Sequence, residues 1–565
     1  MIEQHLVPVD VSGDLREKGL AANALGLKES VVIGLASTAP AYSLAATLGY
    51  LILEVGEFSA ASILVAFVPM LFTAFAYREL NRAVPDSGTT FTWGTKAFGP
   101  WVGWMGGWAV ALSGTIFLAN AAEVAAYYMF TALGEMGVPG MADLASNKWA
   151  TLTLGCLSIA LMTWISYRGI QISSRVQNVL IIFQYAALAL FAGALLVPVL
   201  NGTAPEGGFS FSLGQLNPLA IDSTQALFAA VVIGVFLFWG WESTLSVNEE
   251  TKDPDKTPGR AAIISTLTIL ATYLTVTMAV VAYGGAGGGL LDFSEAAVAE
   301  GSADDVFTPP AAAIGLWLAI VIQLAIVISA LSSTQTTILP TTRGFLAMGV
   351  YKALPRGFAD VHPQYLSPSY ATLVMGAAAI VYYIGMTIIS QNMLYDSIAS
   401  IGLAITFYYA VTGYSSVWYF RKDLTDSAKD FLLKGLLPLL GAAMLTWIFV
   451  QSAIGLSDPE ENFSTLPGPL AGIGAAFVLG IGGLLIGVLL MVYLATREQY
   501  KPFFAGETLT RDTPVLVVED EHALVVSHEI PVGEHVDPDR VENVLDVLEE
   551  QAHPGHTHPH HHKDE

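Results

Sequence analysis

Twelve long apolar stretches divide this chain, and its basic residues sort almost entirely to one side of them. The stretches lie at roughly 31–53, 59–77, 101–132, 148–167, 176–200, 224–248, 261–283, 311–339, 369–390, 394–420, 435–455 and 468–495. A helix crosses a bilayer with about 20 apolar residues, so each is long enough. With the connections numbered in order, the N-terminus, the even-numbered connections and the C-terminus hold 23 of the 24 Lys and Arg residues. The odd-numbered connections hold only Lys148. Cytoplasmic segments of membrane proteins accumulate Lys and Arg. The pattern predicts an all-α membrane protein of twelve transmembrane helices in the cell membrane, with both termini cytoplasmic. A missed or invented helix would scramble the charge sorting, so the bias also tests the count.

The composition, 53% hydrophobic and 13% charged, fits a chain whose larger part lies in lipid. The first thirty residues are polar and lack an early apolar core, so the first helix is expected to serve as the insertion signal. Three regions follow: an N-terminal arm at 1–30, a membrane domain at 31–496, and an acidic tail at 497–565. The tail carries 16 of the 48 acidic residues and ends in a His-rich run. Its composition predicts a largely disordered cytoplasmic extension. The net charge of -24 gives no support to nucleic-acid binding. The single cysteine, Cys156, lies inside the fourth stretch, which argues against disulfides and cysteine-ligated metal. Residues 284–289 are glycine-rich but lack the Lys-Ser/Thr of a phosphate loop, which argues against an ATP-driven pump. The run from His553 to His562 reads either as a loose metal binder or as a low-complexity feature. No cofactor is implied.

Two of the stretches are interrupted. The first contains Gly34-Leu-Ala-Ser-Thr-Ala-Pro40-Ala-Tyr42, and the sixth contains Phe238-Trp-Gly240-Trp-Glu242-Ser-Thr244. They stand five helices apart. Disrupted helices at matching positions of two halves point to a solute-binding site. The disruption frees backbone N–H and C=O groups at membrane depth, where only a cavity or a bound solute can satisfy them. A proline kink and a glycine packing contact would explain either one alone, but not the matched pair.

Ionisable groups inside a span are costly and therefore functional candidates. Two are well inside, Glu123 in the third stretch and Glu242 in the sixth; no Lys, Arg or His lies mid-span. Glu242 follows the break directly. It steadies the unwound segment, takes part in proton coupling, or accepts hydrogen bonds from helix one without changing state. Glu123 shares a helical stripe with Ser113, Asn120 and Tyr127. It either faces a cation in the cavity or serves as an interhelical hydrogen bond.

The connection after the second stretch reads Arg78-Glu-Leu-Asn-Arg82-Ala-Val-Pro85-Asp-Ser-Gly88-Thr-Thr-Phe-Thr-Trp93-Gly-Thr-Lys-Ala-Phe98-Gly99-Pro100-Trp-Val-Gly103-Trp-Met-Gly-Gly107-Trp108. This closely resembles a signature stretch of the amino acid–polyamine–organocation (APC) transporters. Trp239-Gly-Trp-Glu242, followed by Glu249-Glu-Thr-Lys-Asp-Pro254 and Pro258-Gly-Arg260, is similar to that family's sixth helix and following loop. Arg343-Gly-Phe-Leu-Ala-Met348 and Leu354-Pro-Arg-Gly-Phe358 resemble the loop after its eighth helix.

The resemblance implies a LeuT-like fold of two inverted five-helix repeats plus two extra helices. It implies a secondary active transporter of amino acids or small organic amines, working by alternating access with Na+ or H+ coupling or by exchange, and not an enzyme. It places a substrate carboxylate against N–H groups around Ala36, Ser37, Thr38 and Ala39. Freed carbonyls of Phe238, Trp239 and Gly240 would hold the ammonium, and Asn120 and Glu123, on the stripe particular to this chain, are the further candidates for the cavity. Trp239 and Trp241 offer a cation–π face, a lid or plain packing. Ser332 and Ser333 provide hydroxyls where the wider fold can hold sodium. Proton-coupled relatives often carry a lysine in helix five; this chain has the neutral Gln184 there, so that mechanism does not carry over. The expected partners are a small amine-bearing solute and the lipid bilayer. A nutrient sensor signalling through the acidic tail is the second reading. No nucleophile–base pair lies in the spans to suggest a membrane enzyme.

Overall fold

Lipid offers no water to backbone N–H and C=O groups, so a chain of this composition pairs them within helices. The computed structural model describes residues 25–513, apart from 169–173, 206–211, 286–289, 292–304, 363–364, 366, 391, 459–463 and 465–471. Its principal helices are α1 (Leu27–Thr38), α2 (Pro40–Val55), α3 (Ser59–Ala83), α4 (Thr90–Phe98), α5 (Pro100–Glu135), α6 (Lys148–Tyr167) and α7 (Ser174–Leu200). There follow α8 (Thr224–Leu237), α9 (Ser243–Ser246), α10 (Thr257–Gly284), α11 (Leu316–Val350), α12 (Ser369–Ile389), α13 (Met393–Tyr419), α14 (Leu437–Ser457) and α15 (Ala475–Ala495). Among the described residues, 10 helical runs are long and apolar enough to cross a membrane. One of them, Leu27–Ala83, spans two of the apolar stretches, and the sixth stretch contributes the shorter Thr224–Leu237. The protein is an all-helical, multi-pass membrane protein.

Local chemistry sets the helix starts. Pro40 and Pro100 occupy first-turn positions that need no N–H. Asn147, Ser223 and Asn392 cap α6, α8 and α13 through side-chain oxygens. α11 lies along α5; α13 packs against α5, α14 and α15; α10 packs against α1 and α3. These contacts enclose the breaks that follow α1 and α8.

The signature stretch folds into a hook at one face of the bundle. Asp86 Oδ1 accepts from Gly88 N at 2.8 Å and from Thr92 Oγ1 at 2.7 Å, while Oδ2 accepts from the Tyr351 hydroxyl at 3.0 Å. Trp93 donates to the carbonyl of Val84 and Trp104 to that of Ala353. A Cβ on Gly103 would fall 2.6 Å from the carbonyl oxygen of Phe91, so only glycine lets α4 lie this close to α5.

The first part of the tail is built into the same face. The Phe503 ring stacks on Phe91 at 5.5 Å, and Thr508 Oγ1 donates to the carbonyl of Tyr351 at 2.7 Å. The Lys96 ammonium donates to the carbonyls of Thr510, Arg511 and Thr513, and Arg511 donates to that of Tyr419. Residues 1–24, residues 286–289 of the glycine-rich stretch and the tail from 514 through its His-rich end lie outside the described residues.

Candidate functional site

The first break falls at Ala39, which closes α1 and opens α2 in the left-handed region, with φ 49° and ψ 66°. For a residue with a Cβ this costs about 1–2 kcal/mol, and Pro40 forbids continuation of the straight helix. Ala39 N–H still reaches Leu35 O at 3.1 Å. The Ser37 carbonyl accepts from Ser333 Oγ of α11 at 2.8 Å, and Ser37 Oγ donates to Thr336 O at 3.2 Å. Ser43 Oγ donates to Thr38 O at 2.6 Å, and Tyr42 N–H bonds Ser329 Oγ at 3.2 Å. Pro40 has no N–H, and Ala41 N–H donates to no group among the described residues. The open N–H at the start of α2 is therefore that of Ala41, which is buried.

The second break begins where α8 ends. Its last carbonyl, Leu237 O, takes the Tyr273 hydroxyl at 2.8 Å, and Gly240 turns the chain with φ 113°. The carbonyls of Phe238 and Trp239 accept no hydrogen bond among the described residues. Glu242 holds the turn together. It accepts from Gly240 N at 3.0 Å, from the Tyr408 hydroxyl at 2.6 Å and from the Tyr409 hydroxyl at 2.5 Å. Three donors satisfy a buried carboxylate well and tie the break to α13. Tyr408 also accepts the indole N–H of Trp239.

The two tryptophans part company. Trp239 faces Phe117 edge-on at 5.0 Å, beside Phe236 and Tyr42. Trp241 is wholly buried between Tyr77 and Tyr409, at 5.2 and 5.6 Å.

The breaks meet backbone to backbone. A Cβ on Gly240 would stand 2.7 Å from Ser37 C and O and 2.8 Å from Thr38 N. Beside this junction, Tyr77, Thr89, Trp239, Glu242, Thr341 and Tyr408 line a cavity of about 20 Å³. That is room for a water molecule, not an amino acid.

Of the other residues singled out in the sequence, Asn120 is in this group. It accepts the Tyr42 hydroxyl and donates to Leu394 O at 3.2 Å. Ala36 is buried in α1 just before the break. Ser332 lies in α11 next to Ser333 and is likewise buried. Glu123 points elsewhere in α5: it accepts the hydroxyl of Tyr383 from α12 and is bonded by Thr151 of α6. Gln184 is fully buried on α7, a helix packed against α1, α10 and α11, and neither of its amide atoms has a partner among the described residues.

Sequence reasoning missed the tyrosines that hold the site. Tyr408 and Tyr409 lie 166 and 167 residues from Glu242. The adjacent pair of tyrosines in the middle of a span was the available signal. It also missed what closes one side. Arg343 Nη2 reaches both carboxylate oxygens of Glu250, at 2.6 and 2.8 Å. Asn81 Oδ1 accepts from Asn248 at 2.7 Å, and its Nδ2 donates to Pro254 O at 2.7 Å. Leu25 pairs with this loop through Glu250 O and Lys252 N.

Comparisons with known proteins agree with this geometry. The model of the amino acid permease family matches residues 25–475. An uncharacterized transporter of Mycobacterium tuberculosis is 25% identical over 83% of this chain and 92% of its own. The branched-chain amino acid permease BcaP of Bacillus subtilis is 24% identical over 70% of this chain and 80% of its own. The low-affinity putrescine importer PlaP of Escherichia coli is 23% identical over 68% and 79%. Among solved structures, MhsT in complex with L-phenylalanine superposes with a TM-score of 0.51 at 16% identity, over 75% of this chain and 98% of that one. That likeness speaks to the fold alone. With the broken helices joined at Gly240 and the family match running from before α1 to the start of α15, the chain belongs to the amino acid permease family.

Proposed function

We propose that this permease is a secondary active transporter of neutral, apolar amino acids, working by alternating access. In this reading the chain crosses the membrane twelve times, as two inverted five-helix repeats plus α14 and α15, with both ends in the cytoplasm. The observation that carries it is the contact of the two helix breaks at Gly240 and Ser37. Unpaired backbone at membrane depth belongs where a polar solute binds. The substrate carboxylate would be held at the N-terminal end of α2, by Ala41 N–H. The ammonium would be held by the carbonyls of Phe238 and Trp239.

Selectivity for a neutral side chain follows from what the carboxylates do. Glu242 is saturated by three donors, and Glu123 is turned toward α6 and α12. The rings of Tyr42, Phe117, Phe236 and Trp239 gather beside the breaks instead. The relatives named for branched-chain amino acids and for putrescine set the two ends of the panel to test. Coupling to Na+ would engage the Ser37 carbonyl and Ser333, coupling to H+ would engage Glu242, and exchange needs neither.

The pair formed by Arg343 and Glu250, with the Asn81 bridge and Leu25, closes the face assigned to the cytoplasm. The small cavity fits a closed state between the two open ones. The test is uptake into proteoliposomes, with labelled leucine, phenylalanine, lysine and putrescine under a proton gradient, a sodium gradient, or internal unlabelled substrate. Accumulation of leucine or phenylalanine is expected. Accumulation of lysine or putrescine alone would overturn the selectivity, and binding without uptake under any condition would overturn transport.

A further inference from the structure

Asp396 stands in the first turn of α13, at the end of that helix remote from Tyr408 and Tyr409, and it is wholly buried. Its Oδ2 accepts from Ser390 Oγ at 2.6 Å, just beyond the end of α12, and from Ser464 Oγ, in the chain leading to α15. Its Oδ1 is buried and meets no partner among the described residues. Among those residues, none of the ion pairs includes it. The titratable group facing it is the Tyr382 hydroxyl of α12, which shares a hydrogen bond with Ser397.

A carboxylate shut away from water with no positive charge beside it is strongly disfavoured as an ion. Two hydroxyl donors relieve one oxygen and leave the other bare. Either a proton or a metal cation can neutralise the group. The spacing leaves no room for a cation between Ser390 and Oδ2, so the neutralising group sits on Oδ1, where no described group offers a hydrogen bond. An oxygen–oxygen distance of 2.6 Å is that of a donated hydrogen bond, with the serine hydrogen pointing at the carboxylate and not away from an ion between them.

We propose that Asp396 is a protonation site, separate from the helix breaks, that takes its proton on Oδ1 and is set by the solution on the outer face. The group it joins holds three pieces of chain together: the end of α12, the start of α13 and the segment before α15. The same helix carries, near its middle, the tyrosines that grip Glu242. Loss of the proton puts a bare charge into this junction and loosens the outer end of α13. Its effect on uptake rests on the transport reading above; the protonation itself does not.

The experiment is infrared difference spectroscopy of the purified full-length protein in lipid, titrated from about pH 5 to about pH 9, with uptake profiles measured in parallel. Wild type is expected to show a protonated-carboxyl band that fades as pH rises, and Asp396→Asn is expected to lack that band. Ser464→Ala removes a donor that stabilises the ionised form, so the band should persist to higher pH by about one unit. Ser464→Ala keeps the question open to test should Asp396→Asn fold poorly. A band that is unchanged in Asp396→Asn, or one that disappears on adding sodium at fixed pH, would overturn the proposal. If the band behaves as expected while no solute is taken up, the protonation site stands and the transport reading fails.

Discussion

Arg343 and Glu250 meet through a single guanidinium nitrogen that bonds both carboxylate oxygens, and each side chain is 3% exposed. Removing one partner of such a buried pair strands the other, at a cost of about 3–5 kcal/mol to the closed arrangement. Arg343→Ala should therefore favour the state in which Glu250 is hydrated. A reporter cysteine at Ser246, in a background lacking Cys156, should react with a soluble thiol reagent at least tenfold faster. Adding Glu250→Gln should restore most of the protection. Equal reactivity in all three proteins would refute the closing role.

Gly240→Ala tests the junction of the breaks. The added carbon would press on the Ser37 carbonyl and sit at a φ that side chains avoid. About 1–3 kcal/mol of strain is expected, with uptake falling at least tenfold while the protein remains assembled by size-exclusion chromatography. Wild-type uptake by this variant would mean that the breaks do not work against each other.

Tyr409→Phe removes one of three donors to Glu242 without changing the ring packing against Tyr77 and Trp241. A hydrogen bond to a charged group contributes about 1.5–3 kcal/mol. A loss of that size should appear in the thermal midpoint, and the pH profile of uptake should change shape. Glu242→Gln in the same background should then cost little more, because both act on one cluster. Additive losses would separate the two residues.

How far the sequence speaks can be seen residue by residue. The helices were legible because lipid leaves an apolar segment few alternatives, and Pro40 and Gly240 marked both breaks. The left-handed residue was not legible, since it is Ala39 and not a glycine. The direction of Glu123 was hidden as well. Asn120 and Glu123 are near neighbours on one stripe, yet they bond different helices, and only the placement of α12 and α13 decides which. Contacts such as Glu242 with Tyr408 join parts of the chain far apart in sequence, and no local pattern encodes them. The tail composition hid the packed stretch up to Thr513, because its partners, Phe91, Lys96, Tyr351 and Tyr419, lie far back in the chain and part of its hold comes from main-chain carbonyls that have no residue type.

Lys96 makes a prediction about pH. Burial holds its ammonium below the usual lysine value of 10.5, while Asp86 and Asp512 oppose that shift. Between the lowered folded value and 10.5, the unfolded chain binds more protons at this residue than the folded protein does. Stability therefore rises with pH through that window, and the burden of the buried charge is greatest below it. The thermal midpoint of wild type, measured relative to Lys96→Met, should climb as pH rises toward 10.5. A constant difference across that range would contradict the assignment. Lys96→Met should also speed hydrogen exchange in residues 501–513.

The carbonyls that receive Lys96 arrive 414 to 417 residues after it in the chain. During synthesis, the hook before α5 is complete long before its last partners exist. A chain that ends before Phe503 leaves the Lys96 ammonium without these carbonyls and the Phe91 ring without its stacking partner. The face around Phe91 and Lys96 is therefore closed only after α15 has been made.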